Sequence, residues 1–506
     1  MPQYQSLKTI PKISIKNKDI LSLVYTPGVG SSCLKIKETP EAALVYTNKI
    51  NTVAVISFDY NASLKRALFL KSVLLIDAQP LVIKENTTKE DFKFALKNIT
   101  LNFCAIDLSL MSDFVDEIDF EETIPILKSS TNNLKEFFGT IARNIFMFDE
   151  TKLVGDIQER SLKLHELAGG VIETELCEEK RNKPIAIISD GTAVLGYGNI
   201  GALASLPVME GKAALYAEFA DVDSLIFCTK TQNADEIIKI TQIFADSFSG
   251  IHLEDISAPS CFEIENKLAE TLNIPVFHDD QHGTAIIVLA GLLNALALAQ
   301  KDISEIKIVM SGAGAAGNAI AKLLLFAGAK NIVMSDINGV LYKSRPQNDK
   351  YLEELANITN PNNEKGTLKD IIKNADVFIG VSKGGLLTKE HIQSMNQKPI
   401  VFALANPIPE IMPDLAKQAG AFIVSTGRSD FPNQINNSLA FPGLFKGLID
   451  GQIPKVTNEI KFESALIIAS AINDDELNNE NIMPDALNKM VPLKIADTIV
   501  TKFSYK

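Results

Sequence analysis

Three glycines in one short segment have the spacing that accommodates phosphate groups. Gly312, Gly314 and Gly317 form a GxGxxG pattern directly after the apolar run Ile306–Ser311. Glycines let backbone N–H groups and the start of the following helix approach a pyrophosphate. Asp336 ends the next apolar run, roughly 20 residues later, where a carboxylate can accept from a ribose 2′-OH. The segment therefore predicts a dinucleotide site.

Neighbouring residues leave the identity of the nucleotide open. The backbone of Ala315 and Ala316 joins that of the glycines as a candidate phosphate contact. Asp336 favours NAD, whereas Lys343 and Arg345 could instead meet the 2′-phosphate of NADP. The alternative to any nucleotide site is a purely structural glycine turn.

Two acidic pairs, each near the end of a short apolar run, have the chemistry of a cation site. Glu254-Asp255 lies in HLEDIS, and Asp279-Asp280 lies in FHDDQHGT. Four carboxylates suit a hard divalent cation, Mg²⁺ or Mn²⁺, and their intervals do not suit zinc. For either pair alone, the alternative is an exposed acidic loop.

A lysine and a tyrosine are candidate proton carriers. Lys212 stands alone among apolar residues in PVMEGKAALY. Burial can lower the pKa of such a lysine towards neutrality, so that it serves as a general base. Tyr25 lies in the rigid sequence Tyr-Thr-Pro-Gly. The alternative for Lys212 is a solvated lysine on a helix surface, and the alternative for Tyr25 is a residue in an ordinary turn.

The elements that must position these residues alternate between strands and helices. Apolar runs at Ile306–Ser311, Asn331–Ser335, Ala375–Ile379 and Ile400–Ala403 are separated by helical segments. This alternation implies a parallel sheet with right-handed crossovers. The predicted fold class is α/β, with a C-terminal Rossmann-type NAD(P)-binding domain and an N-terminal α/β substrate domain.

An internal repeat is indicated in the first half of the chain. The apolar runs Val53–Ser57 and Ile185–Ser189 both end in Ser, and two further pairs of runs follow in the same order. These further pairs are Pro80–Ile83 with Ser224–Phe227, and Thr123–Ile126 with Asn273–Val276. We interpret the pattern as a degenerate duplication of the substrate domain. The alternative is that any two βα stretches look alike.

Composition limits the class of partner. A formal net charge of −13 argues against a nucleic-acid partner. No apolar run approaches the roughly 18–20 residues of a membrane helix, which predicts no membrane span. The five cysteines are scattered without CxxC spacing, as expected in a reducing cytoplasm.

Taken together, the segments resemble malic enzymes of the compact bacterial type. The similar segments are LVYTPGVGSSC, DGTAVLGYGNIGALASLPVMEGKAALYAEFA, LEDISAPSCFEIE, IPVFHDDQHGTAI, FALANPIPE and QINNSLAFPG. The resemblance covers Leu21–Ser57 and about Glu159–Lys506. It implies oxidative decarboxylation of malate to pyruvate and CO₂, with reduction of NAD or NADP and dependence on Mg²⁺ or Mn²⁺.

The resemblance also implies a role for each matching residue. Lys212 would take the proton of the malate C2 hydroxyl, Tyr25 would protonate the enol of pyruvate, and Asp279 is the carboxylate beside the lysine. The implied metal ligands are Glu254, Asp255 and Asp280. The implied amide contacts to malate are Asn406, Asn436 and Asn437, and Asn406 is also a candidate cofactor contact.

The chain departs from the compact pattern because the DGTAVLG block arrives only at Asp190. A second opening helix, LHExxxGxIE, begins near Glu159, too close to Ile185 to be followed by a YTPG segment. The second copy therefore keeps Lys212 and the metal ligands but has lost the tyrosine.

The first copy shows the complementary loss. It keeps Tyr25, has Lys71 near the place of Lys212, and has Asp107 near the place of the first acidic pair. It has Lys128-Ser-Ser where the second copy has His278-Asp-Asp. The first copy is therefore expected to assemble no metal site.

Four segments are predicted from these patterns. They are a degenerate first copy (1–150), a substrate and metal domain (151–285), the Rossmann domain (286–445) and a C-terminal helical segment (446–506). Either the first copy is a fused partner protomer that supplies Tyr25, or the inserted stretch is peripheral. The chain is expected to act on malate and pyruvate as a homodimer or a fused pseudo-dimer. The alternative functions are a malolactic-type enzyme that releases lactate and an inactive nucleotide-binding regulator.

Overall fold

A computed structural model describes residues 5–25, 27–74, 76–115, 118, 126–127, 155–194 and 196–504. The chain divides into two compact units. The first contains Met1–Phe277 and Ile453–Lys455, and the second contains His278–Gln452 and Val456–Lys506. The segment boundaries expected at 150, 285 and 445 stay a prediction.

The first unit contains two four-stranded sheets with the same strand order. Its strands are β1 (Ser6–Pro11), β2 (Thr52–Ser57), β3 (Asp77–Val82), β4 (Ala105–Asp107), β5 (Ile126–Leu127), β6 (Ile172–Cys177), β7 (Ile185–Ile188), β8 (Ser224–Ile226), β9 (Gly250–Leu253) and β10 (Val276–His278). One sheet has the order β3-β2-β4-β5 and the other β8-β7-β9-β10. In both, the first strand of the sheet in the chain pairs in parallel with the second and the third.

The helices of the first unit follow the same alternation. They are α1 (Lys18–Val24), α2 (Gly30–Glu38), α3 (Ala43–Tyr46), α4 (Tyr60–Leu74), α5 (Lys89–Ile99), α6 (Ser112–Val115), α7 (Ile157–Ala168), α8 (Ala202–Ala220), α9 (Ala234–Phe244) and α10 (Ser260–Thr271). Val53 and Val55 of β2 are buried against Ala67 and Leu70 of α4. Strands of a sheet that is covered by helices are buried on both faces, and β2 is indeed buried at every position.

The second unit is a six-stranded sheet with helices. Its strands are β11 (Lys307–Ser311), β12 (Asn331–Asp336), β13 (Gly339–Val340), β14 (Val377–Gly380), β15 (Ile400–Ala403) and β16 (Ile423–Thr426). The order is β13-β12-β11-β14-β15-β16, parallel except for β13. This is the strand order of a dinucleotide-binding Rossmann sheet, and the α/β prediction is confirmed.

The helices of the second unit include one unusually apolar member. They are α11 (Thr284–Ala299), α12 (Ala315–Phe326), α13 (Lys350–Ile358), α14 (Leu368–Ile371), α15 (Lys389–Gln393), α16 (Pro413–Gln418), α17 (Phe441–Asp450), α18 (Asn458–Ala469) and α19 (Met490–Phe503). With the turn before it, α11 forms a 21-residue helix, Asp279–Ala299, long and apolar enough to cross a membrane. The expectation that no run reaches this length was therefore wrong. Burial inside the protein of 67% of its most apolar window is typical of a core helix.

Helix α7, which contains the start of the LHExxxGxIE segment, is well capped. Asp156 and Glu159 make a capping box at the start of α7, and Gly169 ends the helix in the left-handed conformation. His165 on α7 is fully buried, and its Nδ1 lies 3.3 Å from the carbonyl oxygen of Tyr46. Burial lowers the pKa of His165 to about 4.

This buried histidine predicts a loss of stability in acid. The unfolded chain protonates His165 near pH 6.5, whereas the folded chain does so only near 4. The contribution of neutral His165 to the free energy of unfolding is complete above pH 6.5. It is lost as the pH falls towards 4, by up to about 1.4 kcal/mol per pH unit. Urea unfolding at pH 7.5 and 5.0 should show a larger loss for the unmodified chain than for His165→Gln. Equal losses would contradict the assignment.

Candidate functional site

The glycine-rich segment forms a close turn that leads into a helix. Gly312 has φ +109°, a conformation that side chains rarely adopt, and a Cβ on Gly317 would lie 2.0 Å from the Gly312 carbonyl oxygen. A Cβ on Gly314 would meet nothing within 4 Å, so this position faces open space. Helix α12 begins at Ala315 with no side-chain cap, which leaves the N–H groups of Ala315 and Ala316 for a ligand. The segment therefore has the shape that the sequence predicted.

Asp336 lies next to these glycines, but its charge is already paired. Strands β11 and β12 are neighbours, and the Gly312 N–H donates to Ser335. The buried Arg345 donates hydrogen bonds to both carboxylate oxygens of Asp336, with an Nη1–Oδ1 distance of 2.8 Å. Its Nε donates to Asn348 at 2.9 Å. Arg345 is thus part of the loop's own structure rather than a group held ready for a 2′-phosphate.

Asn406 lies in a loop beyond β15 that a buried carboxylate organises. The two oxygens of Glu410 accept the backbone N–H groups of Ser382 and Ala405, at 3.1 and 3.0 Å. Burial raises the pKa of Glu410. The Asn406 amide donates to Leu404 at 3.3 Å within the same loop. Glu410 therefore fixes the loop that carries Asn406, a role the sequence did not suggest.

The other two asparagines have different partners. Asn437 Nδ2 lies 3.2 Å from Asp279 Oδ2 and 3.2 Å from Thr284 Oγ1, so the structure brings two predicted site residues together. Asn436 instead uses its side-chain oxygen to accept the N–H of Ser438, capping a short turn. Asn436 thus has a structural role in this loop, and Asn437 is the amide beside the carboxylate.

Lys212 is a buried lysine paired with a buried carboxylate. Helix α8 is buried along nearly its whole length, and Lys212 is only 1% exposed. Its Nζ lies 3.0 Å from Glu254 Oε1. The solvated-helix alternative is therefore wrong. The ion pair offsets part of the cost of removing the lysine from water.

Tyr25 lies against this lysine. The ring centroid of Tyr25 is 5.2 Å from Lys212 Nζ. Tyr25 directly follows α1, and Asn17 caps the start of that helix. Gly211 permits the approach, because a Cβ there would lie 3.0 Å from the Tyr25 ring. Tyr25 and Lys212 are thus adjacent, although a long stretch of chain separates them.

The acidic pairs follow two neighbouring strands. Glu254 and Asp255 come directly after β9, and both are buried. Asp279 and Asp280 come directly after β10, which is the neighbour of β9 in the sheet. Asp255 has φ +55°, and its carbonyl oxygen accepts the N–H of Ala193. These are not exposed loops, so that alternative is wrong for Glu254, Asp255 and Asp279.

Sequence reasoning missed three buried polar residues on α8 and β9. Tyr216 hydrogen-bonds His252, and His252 hydrogen-bonds Glu254. Glu210 accepts the backbone N–H groups of Asn48 and Val171, and burial raises its pKa to about 7. Tyr216 stands four positions after Lys212, and His252 two before Glu254. The helical and strand periods could therefore have placed them on the same faces.

Lys71 and Asp107, which the sequence compared with Lys212 and the first acidic pair, have other partners. Lys71 pairs with Asp77, with an Nζ–Oδ1 distance of 2.5 Å, and Arg66 pairs with Asp107 at 2.8 Å. Lys71 and Asp107 are therefore held in separate ion pairs. The expected contrast at Lys128-Ser-Ser lies outside the described residues.

Two parts of the chain match known protein families. Residues 281–503 match the family model described as malic enzyme, NAD binding domain, and residues 170–232 match malic enzyme, N-terminal domain. The NAD-dependent malic enzyme of Geobacillus stearothermophilus is 51% identical over 63% of this chain and 67% of its own length. A bifunctional malic/malolactic enzyme of Bacillus subtilis is 51% identical over 62% of this chain and 77% of its own length.

A solved structure is similar in the same way. The NAD-dependent malic enzyme of Thermotoga maritima is 48% identical, with a TM-score of 0.61. The match covers 63% of this chain and 84% of that one.

Two glycine substitutions should separate nucleotide binding from folding. Gly314→Ala adds a methyl group in open space with ordinary φ, so the fold should keep its thermal midpoint while nucleotide affinity falls about tenfold, or 1.4 kcal/mol. Gly317→Ala forces a clash and should lower the unfolding free energy by about 1–3 kcal/mol. NADH fluorescence titration and thermal unfolding measure the two effects. Unchanged nucleotide affinity in Gly314→Ala would contradict the phosphate assignment.

Proposed function

The chain belongs to the malic enzyme family, and on that premise we propose that it oxidatively decarboxylates malate to pyruvate and CO₂ while reducing NAD or NADP. The observation that carries the proposal is the buried contact of Lys212 with Glu254 and Tyr25. This contact joins a base, a carboxylate and an acid in one place. The reaction needs a base for the C2 hydroxyl and an acid for C3.

Proton balance explains why Lys212 and Tyr25 lie side by side. In its neutral amine form, Lys212 takes the proton of the C2 hydroxyl as C2 is oxidised. When the C3–carboxyl bond breaks, its electron pair forms the enolate and CO₂ leaves. Tyr25 then gives a proton to C3, which yields pyruvate. The proton held by Lys212 returns to Tyr25, so the adjacency of the two groups restores both for the next turnover.

A nicotinamide and a divalent cation would supply the remaining chemistry. When bound, nicotinamide would supply the acceptor for the C2 hydride, and a cation would supply the positive charge that stabilises the C2 oxygen. We propose that Glu254, Asp255 and Asp280 hold Mg²⁺ or Mn²⁺, because they offer only oxygen donors and follow adjacent strands of one sheet. Asp279 is proposed as the carboxylate that assists Lys212, and Asn406 and Asn437 as amides that hold malate.

We also propose that the first copy is a fused partner. The proposal is supported by the matching strand orders of the two sheets and by Tyr25, which comes from the N-terminal segment and lies against Lys212. The separate ion pairs of Lys71 and Asp107 argue for one active site per chain. We further propose a cytoplasmic enzyme that acts on small molecules, either as a homodimer or as this fused pseudo-dimer.

One assay tests the proposed function against its alternatives. Malate with NAD or NADP, and with Mg²⁺ or Mn²⁺, should produce pyruvate and an equal amount of reduced nucleotide. A malolactic-type enzyme would release lactate with no net reduced nucleotide; this alternative is not favoured. An inactive regulator would produce neither.

Replacement of Lys212 should stop the chemistry while the nucleotide still binds. Lys212→Ala is expected to lower kcat by about 10²–10⁴, the usual contribution of a positioned base. Lys71→Ala is the matched control from the first copy, and its kcat should stay within about threefold of normal. Near-normal turnover in Lys212→Ala would remove this residue from the mechanism.

Tyr25 should be needed for pyruvate formation. Tyr25→Phe keeps the ring against Lys212 but removes the proton, so kcat should fall by about 10²–10⁴. Tyr60→Phe, on α4 of the first copy, should change kcat little. If Tyr25→Phe stays within a few-fold of normal, both the acid assignment and the fused-partner proposal fail.

The Asp336–Arg345 pair should make NAD the better cofactor. The 2′-phosphate of NADP would lie near the negatively charged Asp336 carboxylate. The Arg345 guanidinium could not bind this phosphate, because it is already bound to Asp336. We expect kcat/KM for NAD to exceed that for NADP by about tenfold or more, roughly 1.4 kcal/mol. Asp336→Ser should bring the kcat/KM values for NAD and NADP closer together, because it releases Arg345 from its ion pair. A kcat/KM that favours NADP would contradict this prediction.

A further inference from the structure

A buried tyrosine and histidine lie behind the ion pair of Lys212 and Glu254. Tyr216 Oη is 2.8 Å from His252 Nδ1, and His252 Nε2 is 2.6 Å from Glu254 Oε2. Tyr216 and His252 are both fully buried. The other oxygen of Glu254, Oε1, is 3.0 Å from Lys212 Nζ. The contacts thus run from Tyr216 through His252 and Glu254 to Lys212.

The partners of His252 determine which ring nitrogen carries the proton. An ionised carboxylate only accepts hydrogen bonds, so Nε2 must donate to Glu254. In the neutral tautomer with its proton on Nε2, the lone pair lies on Nδ1 and accepts from the Tyr216 hydroxyl. The two hydrogen bonds are therefore consistent with one tautomer, and each holds the other in place.

Both ends of this chain of contacts are anchored to regular structure. Tyr216 lies one turn after Lys212 on α8, so both side chains occupy the same face of the helix. His252 lies on β9, and Glu254 comes directly after that strand, two positions on and on the same face. The rings of Tyr216 and His252 also pack edge to face, 5.6 Å apart. The geometry of Glu254 is therefore set by a helix and a strand rather than by a loop.

We propose that Tyr216 and His252 are positioning residues that fix the orientation of the Glu254 carboxylate. A carboxylate can otherwise rotate about its last bond. The hydrogen bond from His252 uses Oε2 and keeps Oε1 directed towards Lys212. The inference rests on the proposed function, in which Glu254 is a metal ligand beside the base. Residues that hold a ligating carboxylate in place raise its affinity for the metal because less freedom is lost on binding.

Three variants of the full chain test the proposal. His252→Leu removes the donor to Glu254, His252→Gln supplies an amide donor in its place, and Tyr216→Phe removes only the hydroxyl. Mn²⁺ affinity without substrate is measured from the electron paramagnetic resonance of free Mn²⁺. Thermal unfolding and NADH affinity are measured alongside, and kcat and the malate KM are determined for each variant.

We expect His252→Leu to weaken Mn²⁺ binding by about 10–100-fold, with NADH affinity unchanged. His252→Gln should recover most of the affinity, and Tyr216→Phe should lose a smaller part of it. Asp280→Ala, which removes a proposed ligand, is the positive control. Tyr60→Phe removes a hydroxyl elsewhere and should bind Mn²⁺ normally.

The outcomes separate this inference from the proposed function. Mn²⁺ affinity within twofold of normal in His252→Leu overturns the positioning role. If that variant does not fold, unchanged Mn²⁺ affinity in Tyr216→Phe overturns it instead. An unmodified chain that binds Mn²⁺ but does not turn over malate contradicts the proposed function, while weaker binding in the variants still supports the positioning role. An unmodified chain that binds no Mn²⁺ overturns the metal assignment and this inference together.

Discussion

Burial of the Lys212–Glu254 ion pair is the constraint on which the first unit depends. Two charges removed from water must be paired and hydrogen-bonded, and loss of one partner of such a pair typically costs about 3–5 kcal/mol. His252 supplies the second hydrogen bond to Glu254, and Tyr216 supports His252. Helix α8 must in turn be covered on every side, and α2 and β1 from the N-terminal segment pack against it. The N-terminal segment is therefore part of the environment of the lysine.

Glu210 connects the same helix to both halves of the unit. It stands two positions before Lys212 and accepts one backbone N–H from Asn48 and one from Val171, at 2.5 and 3.0 Å. Asn48 lies one short helical turn before β2, and Val171 directly precedes β6. A carboxylate that binds two backbone segments resists movement of either one. The helix that carries Lys212 is thus held by two segments that lie far apart in the chain.

The two sheets show how one topology can hold different chemistry. Both sheets have the same strand order. This order depends on the burial of apolar strands under helices, and it does not depend on which polar residues the strand ends carry. Their polar residues differ: Lys212 meets Glu254, whereas Lys71 meets Asp77 and Asp107 meets Arg66. In the first sheet these charges are thus paired with each other, whereas Lys212 and Glu254 of the second sheet lie beside Tyr25.

The sequence by itself determined the α/β class, the dinucleotide loop and four strands of the six-stranded sheet, including Ile400–Ala403 to the residue, because glycine spacing and apolar periodicity are local properties. It also identified Tyr25, Lys212 and the acidic pairs as candidates. Only the tertiary structure decided their partners: that Lys212 is buried against Glu254, that Tyr25 lies beside it, that Arg345 neutralises Asp336, and that Asn436 caps a turn. Partner choice and burial depend on segments far apart in the chain, and no local pattern encodes which of them meet.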